Sequence, residues 1–237
     1  MKRYGNFFTL GVFAAAMGIL EAAVVVYLRQ LYYPSGFDFP LAPIPAKTLS
    51  VELMREIVTI VMLVSVGILA GKNRLQKFAY FLFAFGAWDI FYYAGLKGFL
   101  DWPPSLLTWD VLFLIPVTWL APVLAPVLCA LTMMLFSMCV VALQEKGYEV
   151  EIAPVQWGLL ALGAFLVFCT FIRDHTKLLV QNGFSSGFLT PAGGESSRQL
   201  FSQYVPVHYN WYLFGLGELL VLAAIAILLK KSRPRPV

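Results

Sequence analysis

The chain has 237 residues, 60% hydrophobic and only 13% charged, about half the charged share of an ordinary soluble domain. With a mean hydropathy of +0.77, that composition excludes a water-soluble globule as the setting for most of the chain and points to lipid as its solvent. The net charge of +4 is gathered in clusters: Lys2 and Arg3; Lys72, Arg74 and Lys77; Lys230, Lys231, Arg233 and Arg235. A basic tail after an apolar helix reads as a cytoplasmic anchor for headgroups, so the expected partner is the lipid bilayer and not nucleic acid.

Crossing about 30 Å of hydrocarbon takes some 20 helical residues. Stretches 7–28, 51–71, 78–96, 155–172 and 211–229 meet this directly. Region 111–143 is too long for one straight span, and Pro116, Pro122 and Pro126 interrupt its first half. It reads as a short interfacial or re-entrant helix over 108–115 and then a span over 119–141, with two spans as the alternative. The expected fold class is all-α: a polytopic transmembrane bundle of about six spans in one integral membrane domain, 1–237. Loops 29–50, 97–118 and 173–210 would lie outside.

Six spans with the N-terminus inside put ten basic residues in inner segments and seven in outer ones, as the positive-inside rule favours. The expected location is therefore a bacterial inner membrane, multi-pass, with both termini cytoplasmic. Glu21 and the length of the first span argue against a cleaved signal peptide. Pro34, Pro40, Pro43 and Pro45 predict an extended course for the first outer loop. Trp102, Trp109 and Trp211 suggest an outer aromatic belt, with Trp157 at the inner face. Small residues Gly11, Ala15, Gly18, Gly67, Gly71, Gly215 and Gly217 would let helices approach closely.

Ionisable residues within spans carry the most functional information. Glu21, Glu56, Asp89 and Glu218 occupy four different spans, five to seven residues from the outer ends, about 7–11 Å below the boundary at 1.5 Å per residue. Glu52 and Arg55 join Glu56 in a Glu-x-x-Arg-Glu cluster, with Glu52 and Arg55 one helical turn apart. Because a central charge costs about 2.5–3.5 kcal/mol on insertion scales, these groups are expected to face one another around an outward-facing acidic cavity. Glu21, Arg55, Glu56, Asp89 and Glu218 would form a ligand or proton site, supported by Glu52, Trp88, Tyr92, Tyr93 and Asp110; Asp110 reads more simply as a cap of the short helix. The functional reading is a protein that binds or translocates protons, a cation or a small polar solute. Against it stands a purely structural polar network.

Two other readings remain open: an accessory or assembly subunit of a larger membrane complex, such as a respiratory one, and a membrane enzyme acting on a lipid-linked substrate with Asp89 or Glu218 as base. No Gly-rich phosphate loop, nucleophile elbow or His-Glu-x-x-His motif occurs, so Ser-based hydrolysis has no sequence support. Cys129, Cys139 and Cys169 lie in apolar runs without metal or haem spacing. His175 and His208 fall in the last outer loop and read as solvated. No metal and no cofactor is expected.

The stretches Trp88-Asp89-Ile90-Phe91-Tyr92-Tyr93, Trp102-Pro103, Trp109-Asp110-Val111-Leu112-Phe113-Leu114-Ile115-Pro116 and Pro122-Val123-Leu124-Ala125-Pro126 resemble a family of uncharacterised bacterial multi-spanning membrane proteins. The likeness covers roughly residues 50–128 and implies a membrane location without an activity.

Overall fold

A computed structural model describes residues 5–182 and 200–234. The described chain is built on six long helices: α1 (Gly5–Tyr32), α2 (Ala46–Ala70), α3 (Arg74–Leu100), α4 (Leu124–Glu145), α5 (Pro154–Gln181) and α6 (Trp211–Lys231). All but α3 are long and apolar enough to cross a membrane. Helix α3 has the length, at 27 residues, but carries Arg74, Lys77, Asp89 and Lys97 and several tyrosines. It tolerates them because it packs against α1, α2 and α4, so protein and not lipid surrounds much of it.

The two ends of the bundle differ. At one end the start of α1 meets the end of α2 (Asn6 Nδ2 to Ala70 O, 3.4 Å), and the start of α3 meets the end of α4 (Asn73 Nδ2 to Gln144 Oε1, 3.2 Å). Two short strands, β3 (Tyr148–Glu149) and β4 (Arg233–Pro234), pair antiparallel there. This is the termini end. Asn73 caps α3 by accepting from the Gln76 N–H at 2.9 Å, and Asn210 caps α6 from Leu213 at 3.1 Å, each satisfying an amide that the first turn leaves free.

The opposite end holds the main departure from the sequence reading. Residues 108–115 do not form a helix. Strands β1 (Trp109–Phe113) and β2 (Trp119–Pro122) form an antiparallel hairpin, and α4 begins only at Leu124, not at 119. The physical reason lies in the residues. Val111, Phe113 and Trp119 favour extended backbone, and Pro116 sits in the turn, where a helix would have had to break. The 33–45 segment also folds back instead of running extended: Ala42 N–H donates to Tyr33 Oη at 2.8 Å, and Phe37 packs edge-on to Trp102 at 5.6 Å. Trp102 is buried, 8% exposed, and so does not join a surface belt.

Helix α5 continues to Gln181, so residues 173–181 are helical and not loop. Within them His175 is 2% exposed and stacked on Phe201 at 4.9 Å. It is not a solvated histidine, whereas His208 is exposed. Leu200 and Phe201, just after the residues left undescribed, are helical.

Two close approaches set the packing. A Cβ on Gly18 would stand 2.4 Å from Trp88 O and 2.9 Å from Tyr92 N, so α1 lies directly against the α3 turn that carries Asp89. Gly163 and Gly217 face each other in the same way, each Cβ position within 2.8 Å of the other's carbonyl oxygen, which joins α5 to α6. Gly215 meets nothing within 4 Å and has no such role.

Candidate functional site

The hairpin end encloses a cavity of about 200 Å³ whose lining includes Glu21, Glu52, Arg55, Glu56, Trp88, Asp89, Tyr92, Tyr93 and Asp110. Four helix and strand elements supply these side chains. Their depth exceeds the sequence reading, because the helices run past the apolar limits. Glu21 and Asp89 are eleven residues from the ends of α1 and α3, and Glu56 is ten from the start of α2. At 1.5 Å per residue these lie about 15–17 Å inside the helix ends, a common level near mid-bundle.

Arg55 organises one wall. Its Nε and Nη2 donate to Glu52 Oε2 at 2.9 and 2.6 Å, and its Nη1 pairs with Glu21 Oε1. Thr59 Oγ1 donates to the other Glu21 oxygen at 3.4 Å. One guanidinium thus neutralises two helices' acids, the fork geometry that arginine favours over lysine. Glu56 points instead to the hairpin: both its oxygens accept the Leu114 N–H at 3.0 Å. That amide lies just past β1 and has no ladder partner there.

A second pair closes the top. Arg29 Nη2 donates to Asp110 Oδ1 at 3.0 Å, and Tyr93 Oη donates to Asp110 Oδ2 at 3.2 Å. The guanidinium is stacked 3.7 Å from the Trp102 ring centroid and 4.2 Å from that of Phe37. Asp110 is therefore no helix cap: it is a strand residue, 1% exposed, in a buried ion pair. Burial pushes its carboxyl up to about 6, against the opposing pull of Arg29, the Val111 amide and Tyr93. By contrast the exposed Asp101 is held below the ordinary carboxylate range by Lys97, whose Nζ lies 2.6 Å from it.

Asp89 stands apart from these satisfied acids. It is 9% exposed, and its Oδ2 has no hydrogen-bond partner among the described residues, nor has the indole Nε1 of the adjacent Trp88. Trp88 and Tyr92 stack at 6.2 Å and 20°, and both line the cavity with Asp89. A buried acceptor left unpaired costs about 1–3 kcal/mol, so a ligand donor or a positive charge would be stabilised there.

Glu218 does not line this cavity. It lies in a second one with Asp89, Cys129 and Thr132, where it accepts from Thr132 Oγ1 at 2.8 Å and Cys129 Sγ at 3.3 Å. The four acids expected around a single pocket are therefore split, three to one, with Asp89 bordering both spaces. Leu112 and Phe113 of β1 also line both and form the partition. The sequence reading put Arg29 near the cavity mouth but missed Thr59, Cys129 and Thr132 as site residues. Arg29 was legible as a cation at a span end, but its partner was hidden by the hairpin. Among the described residues no group of three or more His, Cys, Asp or Glu is placed to hold a metal ion.

Searches of protein-family models, curated proteins and solved structures found no match to this chain.

Proposed function

We propose that this multi-pass membrane protein binds a small cation in the hairpin-end cavity, as a receptor site or as the entry step of translocation. The observation that carries the reading is the buried Oδ2 of Asp89, an acceptor without a partner among the described residues. The cavity's other acids already have partners: Arg55 for Glu21 and Glu52, the Leu114 amide for Glu56, Arg29 for Asp110. Five carboxyls against two guanidiniums in the lining favour a positive guest, and the Trp88–Tyr92 face suits an organic ammonium.

We further place the protein in a bacterial inner membrane with both termini cytoplasmic and the cavity facing outward. Supporting this, the termini end carries Lys72, Arg74, Lys77, Lys146, Lys230 and Lys231 close to helix ends, as cytoplasmic segments do. At the hairpin end Arg29 is consumed internally.

Thermal shift of the purified protein with Na⁺, K⁺, tetramethylammonium and choline tests the reading. A bound cation raises the melting temperature with concentration, and Asp89→Asn removes the shift while Glu145→Gln, at the termini end of α4, leaves it. If none of the four shifts the wild type, or if Asp89→Asn responds equally, the cavity does not bind cations.

A further inference from the structure

The second cavity differs from the first in size, lining and access. It measures about 370 Å³ and is walled by α3, α4, α5, α6 and the hairpin, within the range of sites for drug-sized ligands. Eight aromatic side chains line it, among them Phe85, Phe113, Trp119, Phe168 and Phe171. Around Trp119 the rings are closely spaced, with Phe113, Phe168 and Phe171 centroids at 5.4, 5.0 and 5.9 Å. Asp89 and Glu218 are its acids, and no lysine or arginine is among its lining residues. Glu218 is offered two neutral donors, Thr132 and Cys129, and Asp89 Oδ2 none among the described residues.

Arg29 and Arg55 both line the first cavity and not this one. Helices α3 and α5 form facing walls of the space. At the termini end the space is bounded by the Phe78–Trp157 contact at 6.1 Å. Trp157 is itself 46% exposed, so this aromatic rim reaches the bundle surface where lipid would lie.

We infer that this second cavity binds a lipophilic organic cation arriving from the bilayer. Three features converge on that class. Aromatic faces attract a desolvated cation. Two carboxyls without a counter-cation complement its charge. The apolar walls and volume exclude a hydrated inorganic ion, which would have to shed its water against phenyl rings. A plain lipid chain would fill the space but leave Glu218 without a positive partner. The inference does not depend on the first cavity, because Glu218, Thr132, Trp119, Phe168 and Phe171 line the second alone.

The test is equilibrium binding of tritiated tetraphenylphosphonium to the full-length protein in nanodiscs, with tetraphenylborate as a probe of the same shape and opposite charge. Saturable binding of the cation and at least tenfold weaker binding of the anion are expected. Glu218→Gln should weaken the cation at least tenfold, Ala164→Trp should block it by filling the wall position, and Glu56→Gln should leave it within twofold. Each variant is first checked for an unchanged melting transition. Equal affinity for the two ions overturns the inference on wild-type protein alone, whether or not the variants fold. Undiminished binding by folded Ala164→Trp overturns it as well. Loss of binding in Glu56→Gln with retention in Glu218→Gln would assign the cation to the first cavity and overturn the second site.

Discussion

Arg29 and Asp110, 81 residues apart in sequence, meet at 3.0 Å, and the two partners are not equally sheltered. The guanidinium also rests on the Trp102 and Phe37 rings, whereas the carboxylate depends on Arg29, Tyr93 and the Val111 amide to offset its burial. Arg29→Met should therefore destabilise the protein by about 3–5 kcal/mol, as removal of one partner from a buried pair does. Asp110→Asn should cost less than half as much, because cation–π contacts still hold the guanidinium. Thermal melting of the two variants in one detergent checks the order; equal losses would contradict it.

The same pair predicts a pH dependence of definite sign. The folded-state pKa of Asp110, about 6, lies above its ordinary 3.8. A raised carboxyl contributes stability that is fully present below the unfolded value and is lost as pH rises through the folded one. Between pH 7.5 and pH 5 the wild type should thus gain stability relative to Asp110→Asn on acidification. Comparing the two melting curves point by point removes the other titrating groups. A flat difference would show that Arg29 fully compensates the charge.

Arg55 bridges α1 and α2 by pairing with Glu21 and Glu52. Arg55→Met leaves two acids short of a cation inside the bundle, and a loss of about 3–5 kcal/mol is expected. Adding Glu21→Gln should recover part of it, since the second change removes one stranded charge. A double-mutant cycle should give a coupling of about 0.5–3 kcal/mol; strict additivity would mean that the contact does not stabilise the fold.

Glu56 anchors the hairpin through the Leu114 amide. Glu56→Gln keeps a carbonyl acceptor and should melt within about 1 kcal/mol of the wild type. Glu56→Leu leaves that N–H without its acceptor and should cost about 1–3 kcal/mol. Hydrogen exchange at Leu114, read by mass spectrometry of the hairpin peptide, should rise in Glu56→Leu and not in Glu56→Gln.

Apolar length located the helices from sequence because lipid demands it: a span of some 20 residues leaves a signal no soluble helix matches. Their ends were not legible. Arg173, Asp174 and Lys177 look like the boundary of a span, yet α5 runs on to Gln181, since helical hydrogen bonding does not require apolar residues once the chain leaves the hydrocarbon. The hairpin was hidden for a different reason: its stability comes from Glu56, Arg29 and Tyr93, residues 17 to 81 positions away. Asp89 could be singled out because an acid in an apolar helix has no local explanation. Glu218 satisfied the same rule but sits across the partition formed by Leu112 and Phe113, and depth alone could not distinguish the two sides.

Gly18 provides the test of whether helix spacing governs the site. A Cβ there would press on Trp88 O and Tyr92 N, backbone atoms that cannot yield as a flexible side chain would. Gly18→Ala should push α1 away from α3 and cost about 1–3 kcal/mol, the range for overpacking. Because the same turn of α3 carries Trp88 and Asp89, the displacement should also weaken cation binding in the first cavity several-fold. Gly215→Ala adds the same methyl group where nothing lies within 4 Å, and helix propensity there should leave stability equal or slightly higher, by up to about 1 kcal/mol. Melting temperature and cation response measured on both variants separate the effects: a Gly18→Ala protein that melts and binds like Gly215→Ala would mean that α1 does not set the position of Asp89.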